Sequence, residues 1–182
     1  LTRIDRQELR VNPELLAAEE IIDQVMNDYE ETAQRRGVDL RNHVRGELPL
    51  LWADRNHLIQ LLTNLVDNAL KYTLRGGQVW VAAHVRQANG QPYLEIAVGD
   101  TGPGIPEDEQ ERVFERFYRG SSNSPGSTGT GLGLAIVREL MLQHGGEVAL
   151  QSEVGKGSVF ALHFPLYDEG IPEDIREQEG DE

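Results

Sequence analysis

One long helical pattern, from Asp54 to Thr73, constrains the fold of this chain more than any other stretch. Apolar residues recur there at intervals of three and four and form one helix face: Leu58, Leu62, Leu65 and Ala69. A second face has the same spacing and is polar: Gln60, Asn64, Asn68, Lys71 and Tyr72. Two amides, a cation and an aromatic ring suit a metal-chelated polyphosphate that carries a base. Because solvated polar faces are also the norm on surface helices, the rest of the chain has to decide between these interpretations.

The flanking patterns predict a mixture of helices and strands. The predicted elements in chain order are a helix between Pro13 and Gly37, strands at 38–44 and 50–52, the long helix, strands at 78–86 and 94–98, helices at about 106–118 and 132–143, and strands at 147–151 and 158–164. Asn89-Gly90 is a hairpin signal between two of the strands. We therefore expect an α+β fold, a two-layer α/β sandwich in which helices cover one face of a mixed, mainly antiparallel sheet.

Composition excludes several classes of function. A chain of 182 residues suits one domain with tails, and its net charge of −14 argues against a nucleic-acid partner. Residues 168–182 contain eight acids and one base, so we expect a solvated, disordered tail without chemistry. No run approaches the roughly 20 apolar residues of a membrane span, and no signal-peptide pattern opens the given sequence. The absence of cysteine excludes disulfides and thiolate zinc sites.

Two glycine-rich stretches have the chemistry of ligand sites. In Asp100-Thr-Gly102-Pro-Gly104-Ile105, a carboxylate that follows a strand can accept a hydrogen bond from an exocyclic amine, although the pattern is also that of a plain turn. In Gly129-Thr130-Gly131-Leu132-Gly133, glycines open a helix and expose backbone N–H groups that can bind an anion. The second stretch is no dinucleotide fingerprint, because that pattern follows a strand, and the chain has no Walker-type P-loop.

A third stretch, Phe114-Glu-Arg116-Phe117-Tyr118-Arg119, precedes a run of small and polar residues at 120–128. That run cannot form a packed element, and we expect it to be a mobile loop. Arginine forks fit phosphate oxygens, so the two arginines are candidate phosphate ligands. Taken alone, they are more typical of a solvated helix end.

In their order and spacing, these stretches resemble the ATP-binding catalytic domain of two-component sensor histidine kinases, within the GHKL superfamily. The resemblance also rests on His144-Gly145-Gly146 and Gly155-x-Gly157-Ser158, and it extends from about residue 8 to Pro165. It implies a Bergerat-type ATP-binding fold. It further implies an enzyme, a protein histidine kinase fragment that binds Mg-ATP and donates the γ-phosphate to a histidine on a separate dimerisation domain.

The resemblance assigns roles to the matched residues. The implied catalytic residues are Asn64, Lys71, Arg116 and Arg119. The implied metal ligands are Asn68, as the more direct one, and Asn64. The implied ATP-binding residues are Asn68, Lys71, Tyr72, Asp100, Gly102, Gly104, Ile105, Arg119, Thr130, Gly131, Leu132 and Gly133. Asp100 would accept the adenine amino group, Lys71 and the arginines would approach the phosphates, and the implied cofactors are ATP and Mg²⁺.

The resemblance also implies how the chain is divided and what it works with. Residues 1–10 would end the dimerisation helix or linker, 11–167 would form the catalytic domain with a lid at about 119–130, and 168–182 would be the tail. None of the five histidines has the setting of a phosphoacceptor, so the acceptor would lie on the protein's own upstream dimerisation domain. The other expected partner is a cognate response regulator. The full-length protein would be dimeric and anchored in the bacterial cell membrane, with this domain on the cytoplasmic face.

Gyrase-like and mismatch-repair relatives are ATP hydrolases that have a glutamate at the position of Asn64. An amide cannot accept a proton at neutral pH, so we predict slow or negligible ATP hydrolysis by this chain alone.

Two other functions stay open at this point. The first alternative is a nucleotide-dependent protein-binding module or an anti-sigma-type relative. The second is an α+β domain without nucleotide affinity.

Overall fold

The computed structural model describes residues 11–118, 120 and 130–167. Its elements in chain order are β1 (Glu14–Leu16), α1 (Ala18–Arg36), β2 (Asp39–Asn42), β3 (Leu51–Ala53), α2 (Arg55–Tyr72), β4 (Gln78–Ala88), β5 (Gln91–Asp100), two 3-10 helices (Glu107–Glu109 and Arg112–Phe114), α3 (Gly133–Gln143), β6 (Glu147–Glu153) and β7 (Gly157–Pro165). The predicted α+β class is confirmed. No helix in the described ranges combines the length and the apolar character that a membrane crossing requires.

Five strands form the main sheet, in the order β2-β4-β5-β7-β6. Only the β2–β4 pair is parallel, so the sheet is mixed and mainly antiparallel, as predicted. A second, two-stranded sheet pairs β1 with β3 and was not expected. The hairpin between β4 and β5 turns at Asn89 and Gly90, whose φ angles of 52° and 79° are both positive. Its register places Asp100 opposite Val79, at the end of β5.

The core lies between one face of the sheet and the helices. Alternate strand residues are buried there, and they include Val79, Val81, Leu94, Ile96, Val98, Phe160, Leu162 and Phe164. The helices contribute Ile21 and Ile22 from α1, Leu58, Leu61, Leu62 and Leu65 from α2, and Val137 and Met141 from α3. Because α2 lies in the centre of this layer, its apolar face is fixed against the sheet. Its polar stripe is therefore held in one orientation beside the ends of the strands.

Asp54 caps α2, as the sequence predicts. Its Oδ1 accepts hydrogen bonds from the backbone N–H groups of Asn56 at 2.9 Å and His57 at 3.1 Å, and its Oδ2 accepts one from Asn12 at 2.8 Å. Burial raises the pKa of the Asp54 carboxyl, but these donors outweigh burial and leave the pKa below its ordinary value. The backbone N–H of Asp54 in turn donates to Nε2 of His144 at 3.1 Å, which joins the start of α2 to the end of α3.

Two sequence predictions about secondary structure are wrong. The predicted helix at 106–118 is replaced by the two 3-10 helices, and Phe117 has a φ angle of 64°. Glu107, Glu111 and Glu115 would follow one another at four-residue spacing on an α-helix, where like charges repel. The helix expected from Pro13 begins only at Ala18, because residues 14–16 pair with β3 instead.

Candidate functional site

A cavity of about 280 Å³ lies where the end of α2, the turn after β5 and the start of α3 meet. That volume is close to the lower end of the range for small-molecule sites. Ten of the residues that the sequence nominated line it: Asn64, Asn68, Lys71, Tyr72, Asp100, Gly104, Ile105, Thr130, Gly131 and Gly133. Three motifs that lie far apart in the sequence thus converge on one site.

The other nominated residues lie elsewhere. Gly102 and Leu132 are outside the lining, although each is next to residues that belong to it. Arg116 is exposed and does not line the cavity. Arg119 and Gly129 lie outside the described residues, as does the predicted lid except for its positions 120 and 130. The roles assigned to these residues stay predictions.

Asp100 lies at one end of the cavity, and its side chain is nearly enclosed, with 7% of the residue's surface exposed. Its Oδ1 accepts a hydrogen bond from the backbone N–H of Gly102 at 2.7 Å, and its carboxylate also accepts one from the backbone N–H of Ser158. Burial raises the pKa of Asp100, and these two donors only partly oppose that effect. The group is therefore a fixed, partly desolvated acceptor, which suits an amine donor on a ligand.

The turn that follows Asp100 is packed against the loop between β6 and β7. Gly104 has a φ angle of 73°, and a Cβ atom at this position would overlap the carbonyl oxygen of Glu153. The backbone N–H of Gly155 donates to the carbonyl oxygen of Pro103 at 2.7 Å. Glycine is required at 104 both for the backbone angle and for this close approach.

A second part of the cavity lining, which we call the phosphate end, is formed by Asn64, Asn68 and Lys71 of the polar stripe of α2. Asn64 donates from Nδ2 to the carbonyl oxygen of Gly133 at 3.4 Å, and Nζ of Lys71 lies 5.0 Å from the ring centroid of Tyr72. Among the residues that the structure describes, the side chain of Asn68 forms no hydrogen bond and Lys71 forms no salt bridge. This end therefore presents an amide and a cation that are available to a ligand.

The donors at this end fit a Mg²⁺ ion that is bound together with a phosphorylated ligand. The described residues contain no group of three or more His, Cys, Asp or Glu side chains that could hold a metal by themselves. Asn64 uses its amide nitrogen on Gly133, which leaves its oxygen for a cation, and Asn68 offers a second amide oxygen. Two neutral oxygen ligands suit a hard cation that takes its remaining ligands from phosphates and water.

The start of α3 adds backbone donors to the same end. No side chain caps this helix, so its first N–H groups are not used by a capping residue. Gly131, with a φ angle of 68°, accepts a hydrogen bond from the backbone N–H of Phe117 at 2.9 Å. An uncapped helix N-terminus that borders a cavity is favourable for an anion.

The sequence analysis missed several residues of the lining: Asp67, Glu109, Val113, Tyr118, Leu134, Ser158 and Phe160. Tyr118 is stacked by Arg112, whose guanidinium carbon lies 4.6 Å from the ring centroid, and burial followed by the nearby Glu109 raises the Tyr118 pKa. Ser158 belongs to a motif to which the sequence analysis assigned no ligand-binding role. The pairing of β5 with β7 places it directly opposite Asp100, and no local signal shows this pairing.

The family model described as "Histidine kinase-, DNA gyrase B-, and HSP90-like ATPase" matches residues 53–168. This chain belongs to that family. Among curated proteins, the adaptive-response sensory kinase SasA of Synechococcus elongatus is 36% identical over 171 residues, which are 94% of this chain and 43% of the relative. The chain therefore spans less than half the length of the curated relatives that it matches.

Two solved structures show the same fold. The crystal structure of full-length ShkA in complex with AMPPNP matches with a TM-score of 0.76 and 31% identity, over 90% of this chain and 33% of that one. The histidine kinase ThkA in complex with the response regulator protein TrrA matches with a TM-score of 0.68 and 26% identity, over 85% of this chain and 42% of that one. These likenesses confirm the predicted fold class and the family to which the motifs pointed.

Proposed function

We propose that this chain is the ATP-binding catalytic domain of a sensor histidine kinase, and that it donates the γ-phosphate of Mg-ATP to a histidine on another domain. One observation carries the proposal. A single cavity is lined both by a buried amine acceptor, Asp100, and by the oxygen donors and the cation of α2. A nucleoside triphosphate needs this combination. The AMPPNP bound to the structural relative ShkA supports the same ligand class.

The residues of this chain would act mainly by positioning and by neutralising charge, which is most of what phosphoryl transfer requires. Asp100 would hold the base, Lys71 would neutralise phosphate oxygens, and the first N–H groups of α3 would bind others. Asn68 and Asn64 would hold Mg²⁺, which supplies charge neutralisation on the phosphates when bound. Arg116 and Arg119 remain the proposed contacts to the terminal phosphate.

The same geometry disfavours transfer to water. Asn64 lies in the cavity with its amide nitrogen on the carbonyl oxygen of Gly133, and an amide cannot act as a general base at neutral pH. We therefore propose that hydrolysis by this chain alone is slow or negligible. The γ-phosphate would be transferred to a protein acceptor and not to water.

The acceptor and the other partners belong to the proposal as well. ThkA is bound to a response regulator, and SasA is named a sensory kinase, which supports a response regulator as the final acceptor. The histidine would lie on the protein's own dimerisation domain, preceding a catalytic domain at 11–167 with a lid at about 119–130. A dimeric full-length protein anchored in the bacterial cell membrane, with this domain on the cytoplasmic face, completes the proposal.

The test is a phosphotransfer assay in trans. The chain is mixed with Mg²⁺, ATP labelled on the γ-phosphate and the separately produced dimerisation domain that precedes it in its own protein. We expect an acid-labile, base-stable phosphohistidine on that domain, which then disappears when the response regulator is added. The Asp100→Asn variant and a dimerisation domain without its histidine are the matched controls, and both should give no label.

The alternative functions predict different results from the same mixture. A nucleotide-dependent protein-binding module would bind ATP and the partner domain but would leave no phosphohistidine. A domain without nucleotide affinity would show no ATP binding by calorimetry, and Asp100→Asn would change nothing. Rapid ATP hydrolysis by the chain alone, unaffected by Asn64→Ala, would contradict the assignment of transfer to a protein.

A further inference from the structure

A buried histidine near the start of α2 has a ring nitrogen that makes no hydrogen bond. His57 has 7% of its surface exposed, and its Nδ1 atom is buried without a hydrogen-bond partner among the described residues. His57 does not line the cavity, and the proposed phosphoryl transfer does not use it. Most buried polar atoms in native structures are paired, so an unpaired nitrogen beside a capped helix start calls for an explanation.

His57 occupies the position from which a side chain can complete the N-terminal cap of a helix. Asp54 is the N-cap residue of α2, and His57 is the third residue of the helix. In a capping box, the side chain at this third position accepts a hydrogen bond from the backbone N–H of the N-cap residue. Nδ1 of histidine is as many bonds from Cα as the carboxylate oxygen of an aspartate, which can fill the same role. His57 is therefore placed to accept from the backbone N–H of Asp54.

Another histidine binds that donor in the structure. The backbone N–H of Asp54 donates to Nε2 of His144 at 3.1 Å. Nδ1 of His144 lies 2.8 Å from the carbonyl oxygen of Leu140, which can only accept, so the ring proton is on Nδ1 and the lone pair of Nε2 faces Asp54. The rings of His57 and His144 meet edge to face, with their centroids 5.5 Å apart. Two imidazoles therefore lie beside one amide donor, and only one of them is bonded to it.

The two imidazoles belong to different parts of the fold. His57 lies on α2 itself, whereas His144 follows α3 and is 90 positions away from Asp54 in the sequence. Asp54 has only 6% of its surface exposed, so its backbone N–H would be left unpaired if His144 moved away. A second acceptor on α2 would remove this penalty whenever the end of α3 separates from the start of α2.

We propose that His57 is a reserve acceptor for the backbone N–H of Asp54, so that the end of α3 can separate from α2 while the cap of α2 stays complete. The bond to His144 is the resting arrangement, and a rotation of the His57 side chain provides the second one. The residues of the phosphate end lie on α2, and the start of α3 borders the same cavity. The exchange of acceptors therefore lets α3 change its position without disturbing the residues that α2 presents to the cavity.

The test identifies the acceptor directly, by NMR on the whole isotopically labelled chain without nucleotide. A scalar coupling across an N–H···N hydrogen bond joins the amide nitrogen to the ring nitrogen that accepts. In the wild-type chain, the Asp54 amide should couple to Nε2 of His144. In His144→Phe, which keeps a ring against Phe164 but has no acceptor, the same amide should couple to Nδ1 of His57. In the double variant His57→Phe/His144→Phe it should couple to neither ring.

Denaturant unfolding of the same variants measures what the reserve acceptor contributes. His144→Phe should change the unfolding equilibrium constant about tenfold more in the His57→Phe background than in the wild-type background, because only there is the Asp54 donor left unpaired. The contact of His144 with Leu140 is lost in both backgrounds and cancels. His57→Asn keeps a side-chain oxygen at the same number of bonds from Cα and should restore the smaller change. Additive effects of the two phenylalanine substitutions would overturn the inference.

His57→Phe alone keeps the inference testable if His144→Phe does not fold. Its Asp54 amide should exchange with solvent about tenfold faster than in the wild-type chain, because no second acceptor captures the amide when the end of α3 opens. The amide of Gly146, which donates to the carbonyl oxygen of Met141 at the same end of α3, should exchange at an unchanged rate. An unchanged rate at Asp54, an equal acceleration at Gly146, or a folded His144→Phe without a coupling to His57 would each contradict the proposal. Because no nucleotide is added, these outcomes are independent of the proposed function.

Discussion

The two ends of the cavity differ in how firmly their polar groups are held. At the base end, Asp100 and Ser158 lie on adjacent strands, and hydrogen bonds to Gly102 and Ser152 fix both side chains. At the phosphate end, the described residues give the Asn68 side chain no hydrogen bond and Lys71 no salt bridge. One end is complete before any ligand arrives, whereas the other is completed by the ligand.

This difference matches what each end would have to do. Fixed acceptors lose no conformational entropy on binding and leave a wrong base with unpaired groups, so the base end can select the ligand. The phosphates of the ligand are charged and bind a metal, and the γ-phosphate is transferred to the acceptor during the reaction. Lys71 and Asn68 lie on one helix face and can follow that change, because in the described part of the chain Lys71 contacts the Tyr72 ring without a salt bridge and the Asn68 side chain has no hydrogen bond.

The largest expected effect follows from changing the acceptor at the base end. Asp100→Asn should weaken ATP binding by about a hundredfold, or about 2.7 kcal/mol. The variant loses a charged acceptor, and because its amide nitrogen only donates, a single oxygen is left for the backbone N–H groups of Gly102 and Ser158 and for the ligand amine. Titration calorimetry measures the change, and a thermal melt shows that the variant is folded.

Inorganic tripolyphosphate with Mg²⁺ separates the two ends in the same experiment. Its affinity for Asp100→Asn should equal its affinity for the wild-type chain, because it does not reach the base end. If both ligands weaken together, the two ends are not independent, and the contrast between a fixed end and an adaptable end is wrong.

A smaller effect is expected at the phosphate end. Asn68→Ala should weaken ATP binding by about tenfold in the presence of Mg²⁺ and hardly at all with excess chelator, because its amide oxygen is assigned to the metal. Gln60→Ala is the matched control, since Gln60 lies on the same polar stripe but outside the cavity lining. Equal losses with and without Mg²⁺ would show that Asn68 contacts the nucleotide itself.

The sequence predicted the phosphate end better than the base end, because the residues of the phosphate end on α2 are close together in the sequence and those of the base end are not. The residues of α2 share one helix, so a local period of 3.6 residues already places Asn64, Asn68 and Lys71 together. Asp100 was identified from the glycine-rich turn that follows it in the sequence. The role of Ser158 depends on the pairing of β5 with β7, across almost 60 positions of sequence, and no local pattern specifies which strands become neighbours.

The segment at 106–118 was wrongly predicted to be one helix, for a related reason. Phe114 and Phe117 have helical spacing, but the backbone N–H of Phe117 donates to Gly131, and Gln110 donates to Ile105 and Ser152. These contacts join the segment to the far side of the site and break the helix into two short 3-10 turns. Local periodicity was overruled by long-range hydrogen bonds that a single sequence does not display.

A moderate effect of pH should be confined to the base end. Burial raises the Asp100 pKa, and the protonated carboxyl cannot accept both backbone N–H groups and the ligand amine. ATP affinity should therefore fall as the pH drops through this raised pKa, beginning at a higher pH than an ordinary Asp would give. ATP binding is measured from pH 8 to pH 4 for the wild-type chain and for Asp100→Asn. Protonation of the ATP phosphates affects both proteins and cancels when the two affinities are compared. A difference between the two proteins that does not change with pH would exclude this mechanism.

The smallest expected effect lies far from both ends, where α2 begins and α3 ends. Nδ1 of His144 lies 2.8 Å from the carbonyl oxygen of Leu140, and its Nε2 accepts from the backbone N–H of Asp54, so the imidazole is neutral in the folded chain. Burial is the main reason why its pKa lies below the ordinary value. As the pH falls below about 6.5, the unfolded chain therefore binds a proton at this residue more readily than the folded chain does. The free energy of unfolding should therefore decrease as the pH falls, by on the order of 1 kcal/mol between pH 7 and pH 5.

Denaturant unfolding of the wild-type chain and of His144→Gln at both pH values measures this contribution. The other four histidines are present in both proteins. The variant should lose the pH-dependent difference but keep its ATP affinity, because glutamine can still accept from Asp54 and neither end of the cavity is touched. A loss of ATP affinity in His144→Gln would show instead that the far ends of α2 and α3 control the cavity. Both ends of the cavity would then depend on the contact between His144 and Asp54.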